Sequence, residues 1–214
     1  MKGFIDFLKK IMGFGQFKND EPISSPVVLD QPKQKQTLKP KVKFDFTGYK
    51  GKNINFKEYE GKFNPEIQKE IFNQFEDLKL STPAAAVAIT ENIPLNLKAV
   101  HKNKPVEKKG IDYGLFQIND KTLIDTLRFP KWRRALEKKG VDVSGVVSAM
   151  KEEDKNKLNK TIKEVLFDPI NNVRIARVLV DRQLESGLFP FAWWFGWKDR
   201  KVNLKDKVDK KYRR

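Results

Sequence analysis

The sequence has no cysteine, one histidine and no long uninterrupted apolar run. Without cysteine no disulfide can cross-link the fold, so both oxidising and reducing compartments are compatible with it. The single histidine, His101, lies among Lys98, Lys102 and Lys104, and we expect a solvated loop residue there rather than a metal ligand or a base. No cluster of metal-ligating side chains is visible in the sequence, so we expect neither a metal nor another cofactor.

Positive charge dominates the composition. The chain carries 44 lysine and arginine residues against 28 aspartate and glutamate residues, which gives a formal net charge of +16. This surplus favours anionic partners such as cell-wall polymers, outer-leaflet lipids or nucleic acid. We expect no specific nucleic-acid partner, because no groove-entering motif or aromatic platform at module spacing is recognisable. Residues 201–214 are predicted to be a basic C-terminal tail, with a composition typical of a solvated, partly disordered end.

Composition divides the rest of the chain into three parts. Residues 1–17 carry apolar and basic side chains at helical spacing, which predicts an amphipathic segment for a membrane surface or a partner protein of a virion. This segment is too short to span a bilayer, which takes about 20 apolar residues, and no small-residue cleavage site of a signal peptide follows it. Residues 18–45 are predicted to be a flexible linker, because proline, serine, glutamine and lysine dominate them. Residues 46–200 are predicted to form the folded domain.

Helical patterns dominate that domain. The first helix is predicted to begin at Pro65 with Asn64 as its cap, and apolar residues recur along it at helical spacing. Residues 121–166 form an insert in which we expect two or three surface helices. A later helix is predicted to end at Gly187. A small β element is expected near Asp112. The sequence therefore predicts an α+β fold that is mostly α.

Two carboxylates stand in unlike surroundings. Glu91 closes the uncharged stretch 83–90, which predicts a buried helix that ends at Glu91; Ser81 or Thr82 would cap its start. Loss of hydration and the negative end of the helix dipole should raise the pKa of Glu91 toward the range of a general acid. Asp112 is expected in a turn or strand edge open to water, where it should stay ionised. Such a pair predicts acid/base chemistry.

Three blocks of the sequence resemble the lysozyme superfamily, which includes animal-type lysozymes and the lytic transglycosylases of bacteria and phages. The first is the alanine-rich helix that ends in Glu91. The second, residues 112–119 (Asp-Tyr-Gly-Leu-Phe-Gln-Ile-Asn), resembles a sequence motif of the family at nearly every position. The third begins at residues 167–172 (Phe-Asp-Pro-Ile-Asn-Asn) and ends at residues 192–197 (Ala-Trp-Trp-Phe-Gly-Trp). Together the blocks span roughly residues 82–197.

The resemblance implies that residues 46–200 form a lysozyme-like helical domain, with the small β element beside its cleft. It implies cleavage of the β-1,4 bond between N-acetylmuramic acid and N-acetylglucosamine in peptidoglycan, with Glu91 as general acid and Asp112 as stabiliser or nucleophile. Lysozyme is the type case of such a carboxylate pair, so these roles are inherited from the family. The residues that the resemblance assigns to substrate binding are Tyr113, Gln117, Asn119, Trp194 and Trp197.

Several alternatives stay open. Transglycosylases need only one acid, because the sugar's own hydroxyl attacks the cation, so hydrolysis and transglycosylation are both compatible with the sequence. Glu91 can also be a surface acid at a helix end, and Asp112 a turn residue. Trp194 and Trp197 keep the family's spacing and Trp193 keeps its preceding alanine, so any of these rings can lie against Glu91. A second function class is a non-catalytic structural or assembly protein that keeps a lysozyme-like scaffold and binds wall, membrane or nucleic acid.

We favour the enzyme. An amphipathic start, a linker and no recognisable export signal are typical of a wall-opening enzyme carried by a virus particle, so we expect the protein in a virion or at the bacterial cell envelope. The absence of cysteine fits a microbial or viral branch of the family, because animal-type lysozymes are held by disulfides.

Overall fold

The computed structural model describes residues 43–93, 95–103, 109–194, 198, 200–208 and 212, which all belong to one unit of the chain, Pro40–Arg214. Its architecture is α+β and mostly helical, as the sequence predicts. A 3-10 helix, Phe56–Tyr59, comes first. The α-helices that follow are α1 (Pro65–Phe75), α2 (Ser81–Glu91), α3 (Asp120–Arg128), α4 (Pro130–Lys138), α5 (Ser144–Lys151), α6 (Lys155–Phe167), α7 (Pro169–Glu185) and α8 (Leu204–Lys207).

Two predicted segments lie wholly or largely outside the described residues. These are the amphipathic segment 1–17 and the linker 18–45, of which only the last three residues are described. Among the helices of the described part, none has the length and apolar character that crossing a bilayer requires.

A three-stranded antiparallel sheet follows α2 in the chain. Its strands lie in the spatial order β1 (Val100–Lys102), β2 (Ile111–Tyr113), β3 (Ile118–Asn119). The register pairs Asp112 with His101 on one side and with Asn119 on the other. Asp112 therefore occupies the middle strand, which fixes its backbone from both sides.

Local signals explain where the first two helices begin and end. Asn64 accepts the main-chain N–H of Glu66 at 2.8 Å and Pro65 takes the first helical position, so α1 begins where it is predicted to. The predicted end of α2 at Glu91 is confirmed, but its predicted cap is wrong, because Leu80 precedes the helix and no side chain caps it. All residues of 83–90 are buried. Thus α2 is a core helix, and Glu91 lies at the point where the helix leaves the core.

The core is organised around α7, the longest helix of the described residues. It contacts α1, α4 and α6. Helical spacing predicts a buried stripe of Val173, Ala176, Val180 and Leu184; the first three are fully buried, whereas Leu184 is only half-buried. The helix ends just before Gly187, which has a φ of +69°. The N–H of Leu188 then bonds the carbonyl of Gln183 at 2.8 Å. This is the glycine-terminated helix end that the sequence predicts.

The insert of residues 121–166 contains more helices than predicted. The structure places α3, α4, α5 and α6 in this region, where two or three surface helices are expected from the sequence. Val141, Val143 and Val146, between α4 and the first turn of α5, are at most 1% exposed. These valines anchor the insert in the core, so the prediction of a surface layer is wrong there.

The described part of the predicted tail packs against the domain. Three of its apolar side chains have an exposure of 6% or less, namely Val202, Leu204 and Val208. Asn203 accepts the N–H of Lys50 at 2.8 Å and donates to the carbonyl of Gly48 at 3.0 Å. The expectation of a solvated end is therefore wrong for residues 202–208, because apolar residues between the lysines reach the core.

The folded domain also begins earlier than predicted. Phe44, inside the predicted linker, is 6% exposed. Its ring packs edge-on against Phe63 with 5.5 Å between the ring centroids. The linker therefore ends before Phe44, and the aromatic residues that follow belong to the core.

A buried arginine on α7 ties this helix to the segment after α1. Arg177 donates to both carboxylate oxygens of Asp77, at 2.6 and 2.8 Å, and to Asp181 at 2.9 Å. It also donates to the carbonyl of Gln74. These hydrogen bonds lower the pKa of Asp77 below its ordinary value of 3.8. The guanidinium is thus paired on all sides, as a buried charge requires.

We expect Asp77→Asn to lower the free energy of unfolding near neutral pH by about 1 kcal/mol, since Asp77 is largely exposed and solvent screens its ion pair. The pKa of Asp77 is lower in the folded state than in the unfolded state. The stabilisation is therefore complete above the unfolded value near 3.8 and is lost as the pH falls through the folded value. Thermal unfolding of the wild type and of Asp77→Asn, from neutral to strongly acidic pH, measures how the stability difference depends on pH. A gap between the two unfolding midpoints that stays constant below pH 3.8 would contradict it.

Candidate active site

Glu91 and Asp112 line the same cleft. The cleft has a volume of about 740 Å³ and opens between the end of α2, the small sheet and the segment that follows α7. Both carboxylates are half-buried. The other residues that line the cleft are Thr90, His101, Asn103, Lys109, Gln117, Ile118, Asn119, Thr122, Leu179, Trp193, Trp194 and Arg200.

Asn92 fixes the position of Glu91 relative to the sheet. Asn92 directly follows Glu91 and is 4% exposed. Its Nδ2 donates to the carbonyls of Asn96 and Gly114, at 2.6 and 3.2 Å, and its Oδ1 accepts the N–H of Asn96 at 3.1 Å. Gly114 belongs to the string that contains Asp112. A single buried amide therefore joins the chain segments of the two carboxylates.

Asp112 is oriented by two neutral amides. The Nδ2 of Asn103 donates to Asp112 Oδ2 at 2.9 Å, and the Nδ2 of Asn119 donates to Asp112 Oδ1 at 2.6 Å. The predicted turn or strand edge is wrong, since Asp112 lies in the middle strand. Because both oxygens accept hydrogen bonds from neutral amides, the side chain is held in one orientation.

Asn119 and Gln117 line the cleft as predicted, and both also hold the local backbone. Asn119 accepts the N–H of Lys121 at 3.1 Å and so caps α3. Gln117 donates to the carbonyls of Gly114 and Ala99, at 2.8 and 3.3 Å. These contacts keep the turn between β2 and β3 closed and place both side chains at the edge of the cleft.

Asn172 joins the third block of the sequence to the second. This residue on α7 is fully buried. It accepts the N–H of Phe116 at 2.8 Å and donates to the carbonyls of Tyr113 and Leu166, at 3.2 and 2.8 Å. Asp168 caps the same helix by accepting the N–H of Asn171 at 2.8 Å. The polar residues of the third block thus support the turn beyond Asp112.

Gly114→Ala should destabilise the protein strongly. Gly114 has a φ of +75°, and a Cβ there would lie 2.4 Å from both Asn172 Nδ2 and the carbonyl oxygen of Leu166. Backbone strain and overpacking together should lower the free energy of unfolding by roughly 3 kcal/mol. Chemical denaturation measures the loss.

Gly61→Ala is the matched control. Gly61 has a similar φ of +78°, but nothing lies within 4 Å of the position of its Cβ. This variant should therefore show the backbone strain alone, about 1 kcal/mol. Equal losses in the two variants would show that the close approach at Gly114 is unimportant.

Tyr113 is not a substrate-binding residue, and this prediction is corrected. Its side chain is 2% exposed, and its ring packs edge-on against Phe167 with 5.6 Å between the centroids. Burial raises the pKa of the phenol, which therefore stays neutral. Strand alternation explains the difference: when Asp112 points into the cleft, the next side chain points to the core.

The tryptophans divide between core and cleft. Trp194 is 5% exposed and its Nε1 donates to the carbonyl of Phe116 at 2.7 Å. Its ring therefore forms part of the cleft floor and is mostly core. Trp193 is half-buried and also lines the cleft, so it offers more surface to a ligand than Trp194 does. Trp197, the other predicted substrate-binding ring, lies outside the described residues.

Several cleft residues are missed by the sequence analysis. His101 is exposed, as expected, but it lies on β1 opposite Asp112 and lines the cleft, so the predicted loop is wrong. Arg200 reaches the cleft from the end of the domain, and Asn103 holds Asp112. The sequence gives no alternation signal for this strand, because its residues, Val100, His101 and Lys102, are all exposed. No local signal brings Arg200 to the cleft, because its position depends on packing of the chain end.

The arrangement suits proton transfer and charge stabilisation by carboxylates. Within the described ranges, no group of three or more histidine, aspartate or glutamate side chains is arranged to hold a metal ion. Comparison with protein-family models, with curated proteins and with solved structures found no match.

Proposed function

We propose that this protein cleaves the β-1,4 glycosidic bond between N-acetylmuramic acid and N-acetylglucosamine in peptidoglycan. One observation carries the proposal. Glu91 and Asp112 come from different elements, a core helix and a strand, and line one cleft of about 740 Å³ together. Two carboxylates that flank the scissile bond are the arrangement that most glycoside hydrolases use.

In this mechanism Glu91 is the general acid. It stands at the end of a helix whose preceding eight residues are all buried. A carboxylic acid in such surroundings can protonate the oxygen of the leaving sugar. Asn92 is a positioning residue, because its hydrogen bonds fix the direction in which the chain leaves the helix.

Asp112 acts on the sugar carbon. Its two oxygens are oriented by the hydrogen bonds that they accept from Asn103 and Asn119. As a carboxylate, Asp112 stabilises positive charge that develops on the sugar ring. We favour hydrolysis over transglycosylation, because transglycosylation needs a single acid and the cleft offers a second, oriented carboxylate. The net charge of +16 further favours encounter with an anionic wall polymer.

The products of peptidoglycan digestion test the proposal. The purified full-length protein is incubated with peptidoglycan, and the soluble fragments are analysed by mass. Fragments with reducing ends would support hydrolysis, and fragments with anhydro ends would support transglycosylation. The absence of fragments, with peptidoglycan binding retained, would overturn the enzyme and support a non-catalytic wall-binding protein.

The substrate also implies a place of action. Peptidoglycan lies in the bacterial cell envelope, and the amphipathic sequence of residues 1–17 suits an enzyme attached to a particle or a membrane surface. We therefore place the protein in a virus particle that opens the wall locally. Peptide mapping of purified particles tests this location, and finding the protein only in the cytosol would contradict it.

A further inference from the structure

Three side chains form a stack that begins in the cleft and ends at the protein surface. Trp193 lines the cleft. The Cζ atom of Arg182, on α7, lies 5.2 Å from the ring centroid of Trp193 and 5.2 Å from that of Phe129. The guanidinium therefore links two aromatic rings through cation–π contacts. Phe129 lies between α3 and α4, beyond the residues that line the cleft.

Arg182 is held firmly within this stack. Its Nη2 donates to Asp125 Oδ2 at 2.7 Å, and its Nη1 donates to Thr126 Oγ1 at 2.9 Å. The arginine side chain is 17% exposed. Because both partners belong to α3, the helix that leads into Phe129, the two rings keep a fixed spacing. Each centroid lies 5.2 Å from the same atom, so a single side chain sets the separation of the two rings.

The exposure of Phe129 is unusual for this protein. It is 48% exposed, the largest value among the exposed large apolar side chains of the described residues, and the others are aliphatic. Through Arg182 this exposed ring is joined to Trp193, which lines the cleft, so an aromatic surface continues beyond the cleft.

We propose that Phe129 is an outer sugar-binding platform, on which a glycan strand that leaves the cleft past Trp193 packs one of its pyranose rings. The apolar face of a pyranose packs well on an aromatic ring, and the fixed stack removes the entropy loss of ordering the ring on binding. The choice of glycan as occupant rests on the proposed function and on the continuity of the stack with the cleft. Phe129 thereby makes the protein prefer long strands to short ones.

Binding of glycans of two lengths tests this platform. Full-length Glu91→Gln protein, in which cleavage should be blocked, is titrated calorimetrically with a disaccharide and with a hexasaccharide from peptidoglycan. Phe129→Leu should weaken binding of the hexasaccharide roughly fivefold and leave the disaccharide unchanged, because aromatic contacts contribute about 0.5–1.5 kcal/mol. Phe129→Tyr should bind like the parent, because it keeps the flat ring.

The controls separate the platform from a structural role. Leucine preserves the apolar volume, so Phe129→Leu would bind normally if Phe129 only packed between helices, and that result would overturn the platform. Leu188→Ala, which shortens another exposed apolar side chain, should change neither affinity. Equal weakening of both glycans by Phe129→Leu, or failure of the parent to prefer the longer glycan, would also overturn it. If the wild type cleaves nothing but the length preference depends on Phe129, the proposed function fails and the platform stands.

Discussion

Glu91→Gln is expected to reduce the cleavage of peptidoglycan by about 10²–10⁴-fold, the range that general acid catalysis contributes. Glutamine keeps the shape of the side chain and removes the proton that the leaving sugar needs. The release of soluble fragments over time measures the loss. The substitution replaces the last residue of α2, outside the buried stretch 83–90, so the core should be unchanged.

A second helix end provides the control for this substitution. Glu185 is the last residue of α7 and forms an exposed ion pair with Lys131. Glu185→Gln changes the same chemical group at the same kind of position, away from the cleft, and should keep full activity. Glu91→Gln protein should unfold at nearly the same temperature as the wild type. Activity retained by Glu91→Gln would exclude Glu91 as the acid.

Asp112→Asn is expected to lower the rate of cleavage by roughly 10²-fold or more, because the cleft loses the negative charge that stabilises the sugar cation. The fold should tolerate the change. The new Oδ1 can accept from Asn119 as before, and its new amide can donate to Asn103 once the amide of Asn103 turns over. Initial rates and thermal unfolding of both proteins give the two readouts.

The size of the loss at Asp112 separates two mechanisms. A large loss together with reducing ends in the products identifies a two-carboxylate hydrolase. A loss of only a few fold together with anhydro ends would contradict hydrolysis and identify Glu91 as a single acid. Asn103→Ala is the companion variant. It should cost less activity than Asp112→Asn, because Asn119 still orients the carboxylate.

Parts of this fold that depend on neighbouring residues are predictable from the sequence. Asn64 and Pro65 mark the beginning of α1, Glu91 the end of α2 and Gly187 the end of α7, because caps and helix ends are decided within a turn of the chain. The mostly helical α+β class follows from the same patterns. The predicted cap of α2 failed, because the helix begins at Ser81 itself and Leu80, which has no polar side chain, takes the cap position.

The candidate site was predictable only in part. Glu91, Asp112, Gln117 and Asn119 line the cleft as the sequence suggests. Tyr113 points to the core instead, because alternation along β2 sends neighbouring side chains to opposite faces. Resemblance between short sequence motifs identifies the residue types of a site. It does not show which side chains of a strand point into the cleft.

The sequence alone determined the helical class and the helix ends, and it singled out Glu91 and Asp112 as a pair of carboxylates. Only the tertiary structure decided that these carboxylates share one cleft, that Trp193 offers more surface there than Trp194 does, and that the basic chain end packs through Val202 and Leu204. The physical reason is the range of the interactions. Helix caps join residues a few positions apart, whereas the bonds from Asn172 to Phe116 and from Trp194 to Phe116 join residues 56 and 78 positions apart.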